Sequence, residues 1–319
     1  MFRKHTRRAA KAAYAISLGV ALLIGLTACG GSGKSASGVA GAQKTIAKHA
    51  KPTIVVGNKN FTEEYILGQL YGQALQAKGY KVKYAGSLGS SELADAALTS
   101  GKIDLLPEYM GVVVLDVAGQ KTSPKTAHAT YLAAKKFEET RGLTVLNPTP
   151  FYDSDTVSVL KTTAQKYGLK TIGDLKKVGT FTYAGYPECD KRITCLLGLK
   201  RIYGLTKVKF IQIGSLSVET LLDHKKATAG DIFSTEPALA SGKYVPLKDT
   251  KAIFGFQNVA PIVSQKTLKA GGAALRKAID AVSAKLTIKA MIAMNTAVGV
   301  DKKTPAAVAS AFLKANGLK

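Results

Sequence analysis

Two hydrophobic periods alternate along most of the chain, and each change of period marks an element. Residues 53–57, Thr-Ile-Val-Val-Gly, form a short β-branched run closed by glycine, which predicts a buried parallel strand. Residues 63–78 then put Ile66, Leu67, Leu70 and Leu75 on one side of a helix that stops at Gly79. Thr62 stands before that helix with Glu63 and Glu64 in its first turn, so the threonine oxygen is the expected cap. Residues 81–85 alternate as a second strand, 87–91 form a polar glycine loop, 92–99 a helix and 101–107 a third strand. This βαβαβ order predicts an α/β fold with a mostly parallel sheet.

The pattern continues with a helix at 131–141 and strands at 143–146 and 156–160. A helix at 163–167 and a capped stretch at 171–175 follow. Strands at 181–184, 207–211 and 230–233 then read as a second α/β unit. A strand from Val259 and two helices, 272–286 and 305–316, close the chain. That order predicts a first lobe of residues 52–153 and 260–319 and an inserted second lobe of 154–259. The two crossings, near 153–155 and 258–262, are the expected hinge. Open α/β sheets bind ligands beyond the carboxyl ends of their strands. In a two-lobed molecule those ends face one cleft, which closes around its guest.

Ahead of the folded part, Arg3, Lys4, Arg7, Arg8 and Lys11 form a basic leader, followed by an apolar run over 12–26. This reads as a secretory signal over residues 1–28 and is too short for a confident membrane span. Leu26-Thr27-Ala28-Cys29 resembles a bacterial lipobox, which implies a lipid anchor on Cys29. The plainer alternative is an ordinary cleaved signal with a chance cysteine. Residues 29–51 hold a run of small and polar residues, read as a flexible tether. Its Gly-Gly-Ser-Gly-Lys-Ser string follows no strand, so it lacks the frame of a phosphate loop.

The chain carries 45 Lys+Arg against 21 Asp+Glu. Without the five basic residues of the leader the balance is 40 to 21, or +19. The lysines are spread over many segments, which argues against nucleic acid and for a solvated surface near anionic membrane or wall polymers. Beyond Cys29, only Cys189 and Cys195 remain, and an oxidising compartment makes a disulfide the default. No histidine has ligand spacing to them, so neither a metal nor a cofactor is expected. No catalytic elbow, zinc-binding helix or dinucleotide fingerprint is present. Loop acids such as Glu108, Asp153, Asp155 and Glu236 leave open an exported enzyme on the same fold. A surface protein whose basic face binds acidic polymers is a third reading.

Aromatic residues stand at the strand ends: Phe61, Tyr109, Phe151, Tyr152, Tyr186, Phe233, Phe254 and Phe256. Rings converging on a cleft can hold a quaternary ammonium by cation–π attraction, ~0.5–2 kcal/mol per face. The alternative for each ring is ordinary core packing. A carboxylate on the same ligand would look to the hydroxyls and N–H groups of 87–91, which include Ser87 and Ser90.

Gly57-Asn-Lys-Asn-Phe-Thr-Glu-Glu-Tyr-Ile-Leu-Gly68 resembles the opening motif of the glycine betaine, choline and carnitine (osmoprotectant) binding proteins of ABC transporters. Ala97-Leu-Thr-Ser-Gly-Lys-Ile-Asp-Leu-Leu-Pro-Glu-Tyr-Met-Gly111 is similar to a second block of that family at the right distance. Tyr167 to Leu175, Pro187 to Cys195 and Val308 to Leu318 extend the likeness over about residues 52–318. The resemblance implies a type II periplasmic-binding-protein fold and a ligand cage in the cleft. Phe61, Thr62 and Glu64 would line the first-lobe wall, with Tyr109 as a cage ring. Tyr152, Asp153, Asp155, Tyr186 and Glu236 complete the candidate site. The expected partners are a quaternary ammonium or zwitterionic ligand and a membrane permease, for a chain that is itself monomeric and not an enzyme. The sequence departs from the family where Met110 and Val112 replace two threonines, and where Glu64 stands at a common glutamine. The crossing Tyr152-Asp-Ser-Asp-Thr156 also lacks the family's usual placement of tyrosine.

Overall fold

The computed structural model describes residues 51–319. The expected leader, the lipid site at Cys29 and the tether as far as residue 50 lie outside the described residues. Among the described residues ten strands form two five-stranded sheets. The first holds β1 (Thr53–Asn58), β2 (Lys81–Ser87), β3 (Leu105–Tyr109), β4 (Leu143–Val145) and β10 (Val259–Ser264), in the order β2-β1-β3-β10-β4. The second holds β5 (Val157–Leu160), β6 (Phe181–Gly185), β7 (Val208–Gln212), β8 (Ala229–Asp231) and β9 (Tyr244–Pro246), in the order β7-β6-β8-β5-β9.

In each sheet four of the five strands run in one direction, as expected, and a single strand, β10 in the first and β5 in the second, runs against them. β1 pairs parallel with β2 and β3, but β10 runs antiparallel to β3 and β4. In the second sheet β6 pairs parallel with β7 and β8, and β5 runs antiparallel to β8 and β9. The cause is the return of the chain: β10 enters the first sheet from the second and meets β3 head-on, Val259 opposite Tyr109 and Val263 opposite Leu105. The two crossings run side by side, with Tyr152 bridged to Asn258 and the Asp153 N–H donating to the Gln257 carbonyl.

The apolar stripe read over 63–78 becomes helix α1 (Thr62–Ala77), whose Ile66, Leu67, Leu70 and Leu75 are fully buried in the core of the first sheet. A separate core fills the second sheet, built on Val157, Val159, Tyr183, Leu196 and Leu199. Thr62 is not the cap of α1: the helix already includes it, and the cap position is Phe61 without a side-chain bond. Glu64 does the tying instead, accepting from the Lys59 backbone N–H at 3.0 Å.

Three helices close the chain, not two: Gln265–Ser283, Ile288–Gly299 and Pro305–Ala315. The middle one, Ile-Lys-Ala-Met-Ile-Ala-Met-Asn-Thr-Ala-Val-Gly, is apolar on nearly every side and shows no stripe, so periodicity does not reveal it. Thr287 caps it by accepting from the Ala290 N–H. The first of the three breaks at Gly272, whose φ of 67° is left-handed, so the pattern read from 272 onward is only its second half. Among the described residues no helix is long and apolar enough to cross a membrane.

Candidate functional site

The carboxyl ends of the two sheets face one cavity of about 50 Å³. β1 delivers Lys59, Asn60 and Phe61, and β3 ends on Tyr109; across the gap β6 delivers Tyr186, and β8 ends on Asp231 just before Phe233. Four rings meet there in a row. Phe61 lies 6.1 Å from Tyr109 and 5.1 Å from Phe233, and Phe233 stacks on Tyr186 at 5.4 Å. The row passes from one sheet to the other through the Phe61–Phe233 contact. Aromatic faces carry negative charge density, so such a wall attracts a cation.

One cation already uses part of it. The Lys59 ammonium stands 4.2 Å from the Tyr109 ring centre and 5.6 Å from that of Phe61. It donates to Glu108 and to Ser91 Oγ and lies 3.9 Å from Glu64. Lys59, Glu64 and Glu108 are all nearly inaccessible to solvent. The Glu64 carboxyl is therefore paired inside the protein and not offered to a ligand. Burial still pushes the Glu64 carboxyl up to about 8, with Lys59 acting against that rise.

The other walls are rich in acid. Asp153, Asp155, Glu188 and Asp231 line the cavity. Burial holds Asp231 well above the usual carboxylate range, and neighbouring Asp155 pushes it further. Burial raises Asp155 too, with Arg192 as the main opposing influence. Asp153 accepts from Ser234 Oγ and the Thr235 N–H at 3.0 Å each, which ties the first crossing to the second sheet. Glu63 at the start of α1 accepts from Tyr109 Oη at 2.7 Å, Thr235 Oγ1 at 2.6 Å and Asn295 Nδ2 at 2.9 Å. That carboxylate gathers groups from both sheets, and burial raises its pKa.

Further out, Arg192 closes the mouth with a bidentate pair to Glu92, at 3.0 and 2.9 Å. Thr194 donates to Asp116 at 2.7 Å beside it. Cys189 and Cys195 are joined by a disulfide and line the same wall. The side chain of Gln257 covers Gly111, where an added Cβ would stand 2.5 Å from the amide nitrogen. Glycine at 111 lets the second crossing pack this closely on the residues after β3.

Of the residues singled out by sequence, Phe61, Tyr109, Asp153, Asp155, Tyr186 and Phe233 line the cavity. Thr62 is half-buried in the first turn of α1, and Glu64 sits fully buried behind Lys59. Ser87 is exposed at the end of β2. Ser90 donates to Glu92 at 2.6 Å, outside the lining. Tyr152 is 51 % exposed, while its neighbour Phe151 is buried in the core, because adjacent extended residues face opposite ways. Glu236 begins a short helix away from the lining, its carboxyl pushed up to about 7 by burial. Phe254 belongs to the core of the second sheet, and Phe256 is exposed. Sequence reasoning passed over Lys59 and Arg192, since an isolated basic residue reads as surface. Their signal is position: Lys59 directly follows a buried strand, and Arg192 lies between the two cysteines.

Residues 52–315 match the family described as the substrate-binding domain of the ABC-type glycine betaine transport system. The chain is 30 % identical over 280 residues to a glycine-betaine-binding protein of Pseudomonas aeruginosa, covering 83 % of this chain and 88 % of that protein. It is 27 % identical over 282 residues to the glycine betaine-binding protein YehZ of Escherichia coli, covering 84 % and 92 %. Among solved structures, that of a glycine betaine/carnitine/choline ABC transporter protein superposes with a TM-score of 0.67 at 23 % identity, covering 83 % of this chain and 99 % of that one. This last likeness bears on the fold, which is the two-lobed α/β fold of periplasmic binding proteins.

Proposed function

The chain belongs to the family of substrate-binding domains of ABC-type glycine betaine transport systems, and from that premise we propose that it captures a quaternary ammonium solute between its lobes. Glycine betaine, choline and carnitine are the candidate ligands. The observation that carries the reading is the row Tyr109–Phe61–Phe233–Tyr186, contributed by both sheets and lining one cavity. The trimethylammonium head would lie against Phe61, Phe233 and Tyr186, the faces that Lys59 leaves most open. Residues 52–153 and 260–319 act as one lobe and 154–259 as the other, turning about the paired crossings at Asp153 and Gln257. Closure brings Glu63 to Thr235 and Arg192 to Glu92; opening breaks these contacts and releases the guest to a permease. A lipid on Cys29 would hold the protein at the outer face of the membrane that carries that permease.

Substrate-binding proteins of this family are not enzymes, so the cleft acids serve binding and closure rather than turnover. Isothermal titration of the purified protein with glycine betaine, choline, carnitine and ergothioneine tests the ligand class. Saturable heat with at least one of them is expected. Silence with all four rejects the ligand class and leaves the fold untouched.

A further inference from the structure

Resting on that reading of the cleft, we propose that the site selects a cation carrying a hydrogen-bond donor, of the amino-alcohol kind, over a zwitterion carrying a carboxylate. The first ground is an orphaned acceptor. Asp231 is 4 % exposed and lines the cavity, yet its Oδ1 is buried with no hydrogen-bond partner. Leaving such an atom unpaired is costly, and a ligand hydroxyl or N–H removes the cost. Asp231 lies two residues before Phe233, so a small cation resting on that ring has its other end at the carboxyl. Asp155 is hydrogen-bonded to Asp231 carboxyl to carboxyl, so one of the two holds the proton and Asp231 Oδ1 stays open to the ligand's donor.

The second ground is the state of the donors that a carboxylate would need. The Lys59 ammonium is spent on Glu108 and Ser91. Arg192 gives Nε and one terminal nitrogen to Glu92, so its second terminal nitrogen and the Tyr186 hydroxyl are the donors left for a carboxylate. Tyr109 donates to Glu63, Thr194 to Asp116, and the Gln257 amide to the Phe254 carbonyl. Ser90, the hydroxyl that sequence offered for this task, donates to Glu92. A carboxylate placed against the aromatic row would face the Asp155–Asp231 pair, whose proton is already engaged between the two carboxyls, so its oxygens would find no free donor there. Selection here works through rejection of the wrong partner as much as attraction of the right one.

Three probes separate the contributions: choline, its O-methyl ether and glycine betaine, each titrated calorimetrically into the wild-type protein. Choline and its ether carry the same charge and differ by one donor. Choline is expected to bind at least tenfold more tightly than either of the others, in line with a hydrogen bond to a charged or buried acceptor. In Asp231→Asn or Asp155→Asn the advantage of choline over its ether should shrink severalfold while the ether's own affinity moves less. Equal binding of choline and its ether, or tighter binding of glycine betaine, overturns the inference and leaves the quaternary-ammonium reading standing. Failure of all three to bind overturns both.

Discussion

Lys59 and the ring of Tyr109 show in one contact what the cleft does to a cation. The ammonium lies on the ring face and between Glu64 and Glu108, out of reach of water. Removing one member of a buried ion pair leaves the other charge uncompensated, at a cost of about 3–5 kcal/mol. Lys59→Met is therefore expected to lower unfolding free energy by about that amount in urea titrations; a loss near zero would show the cluster to be structurally idle. Phe233 is the ring that joins the two sheets, so Phe233→Ala should weaken cation binding by roughly 2- to 30-fold, read by calorimetry, and unchanged affinity would return that ring to simple packing.

Asp116 supplies a test by pH. Burial pushes its carboxyl up to about 6 from 3.8, against the pull of Arg192 and with Asp155 and Glu92 pushing the same way. The folded protein thus keeps a proton that the unfolded chain has already lost. The stabilisation from that proton is complete below about pH 4 and fades as pH rises through about 6. Asp116→Asn should reduce the fall in stability between pH 4 and 7, measured by urea unfolding at each pH, and parallel curves for variant and wild type would contradict the assignment. Single residues were also where sequence was least legible. Phe61, Tyr109, Tyr186 and Phe233 were readable as rings after strands, but Phe151 and Tyr152 stand in the same pattern and go to core and solvent. Spacing cannot tell these cases apart, because only the facing sheet decides which ring has a partner.

At the scale of elements, legibility followed burial. β1, β6 and β10 were readable because β-branched or aromatic runs are short and bounded by glycine or polar residues. α1 was readable because Ile66, Leu67, Leu70 and Leu75 recur at helical spacing ahead of Gly79, although the helix is buried on almost every side. The helix Ile288–Gly299 was not, for want of a polar face, and yet its Asn295 reaches Glu63 at the heart of the site. Mixed pairing was hidden as well, since strand direction depends on where the second crossing returns. The disulfide between Cys189 and Cys195 clamps the short helix Pro187–Lys191 that forms one wall. Closing so small a loop contributes about 2 kcal/mol. Cys189→Ser with Cys195→Ser should lower stability by about that amount and loosen ligand binding, both absent if that wall is held by other contacts.

Over the whole molecule, two sheets with separate cores share their strand ends, and the chain crosses between them twice side by side. In the proposed closure each half would move as a body on its own core, with the paired crossings as the axis. The contacts Glu63–Thr235, Asp116–Thr194 and Glu92–Arg192 join the halves. The Glu92–Arg192 pair is partly solvent-exposed, so Arg192→Gln is expected to shift the open–closed balance modestly, seen as a larger radius of gyration by small-angle scattering.

A crystal structure of the protein grown with choline addresses the central claim most directly. The account predicts the N-methyl groups within roughly 6 Å of the ring centres of Phe61 and Phe233, one ring from each sheet. A choline bound elsewhere, or touching rings of one sheet alone, would contradict it.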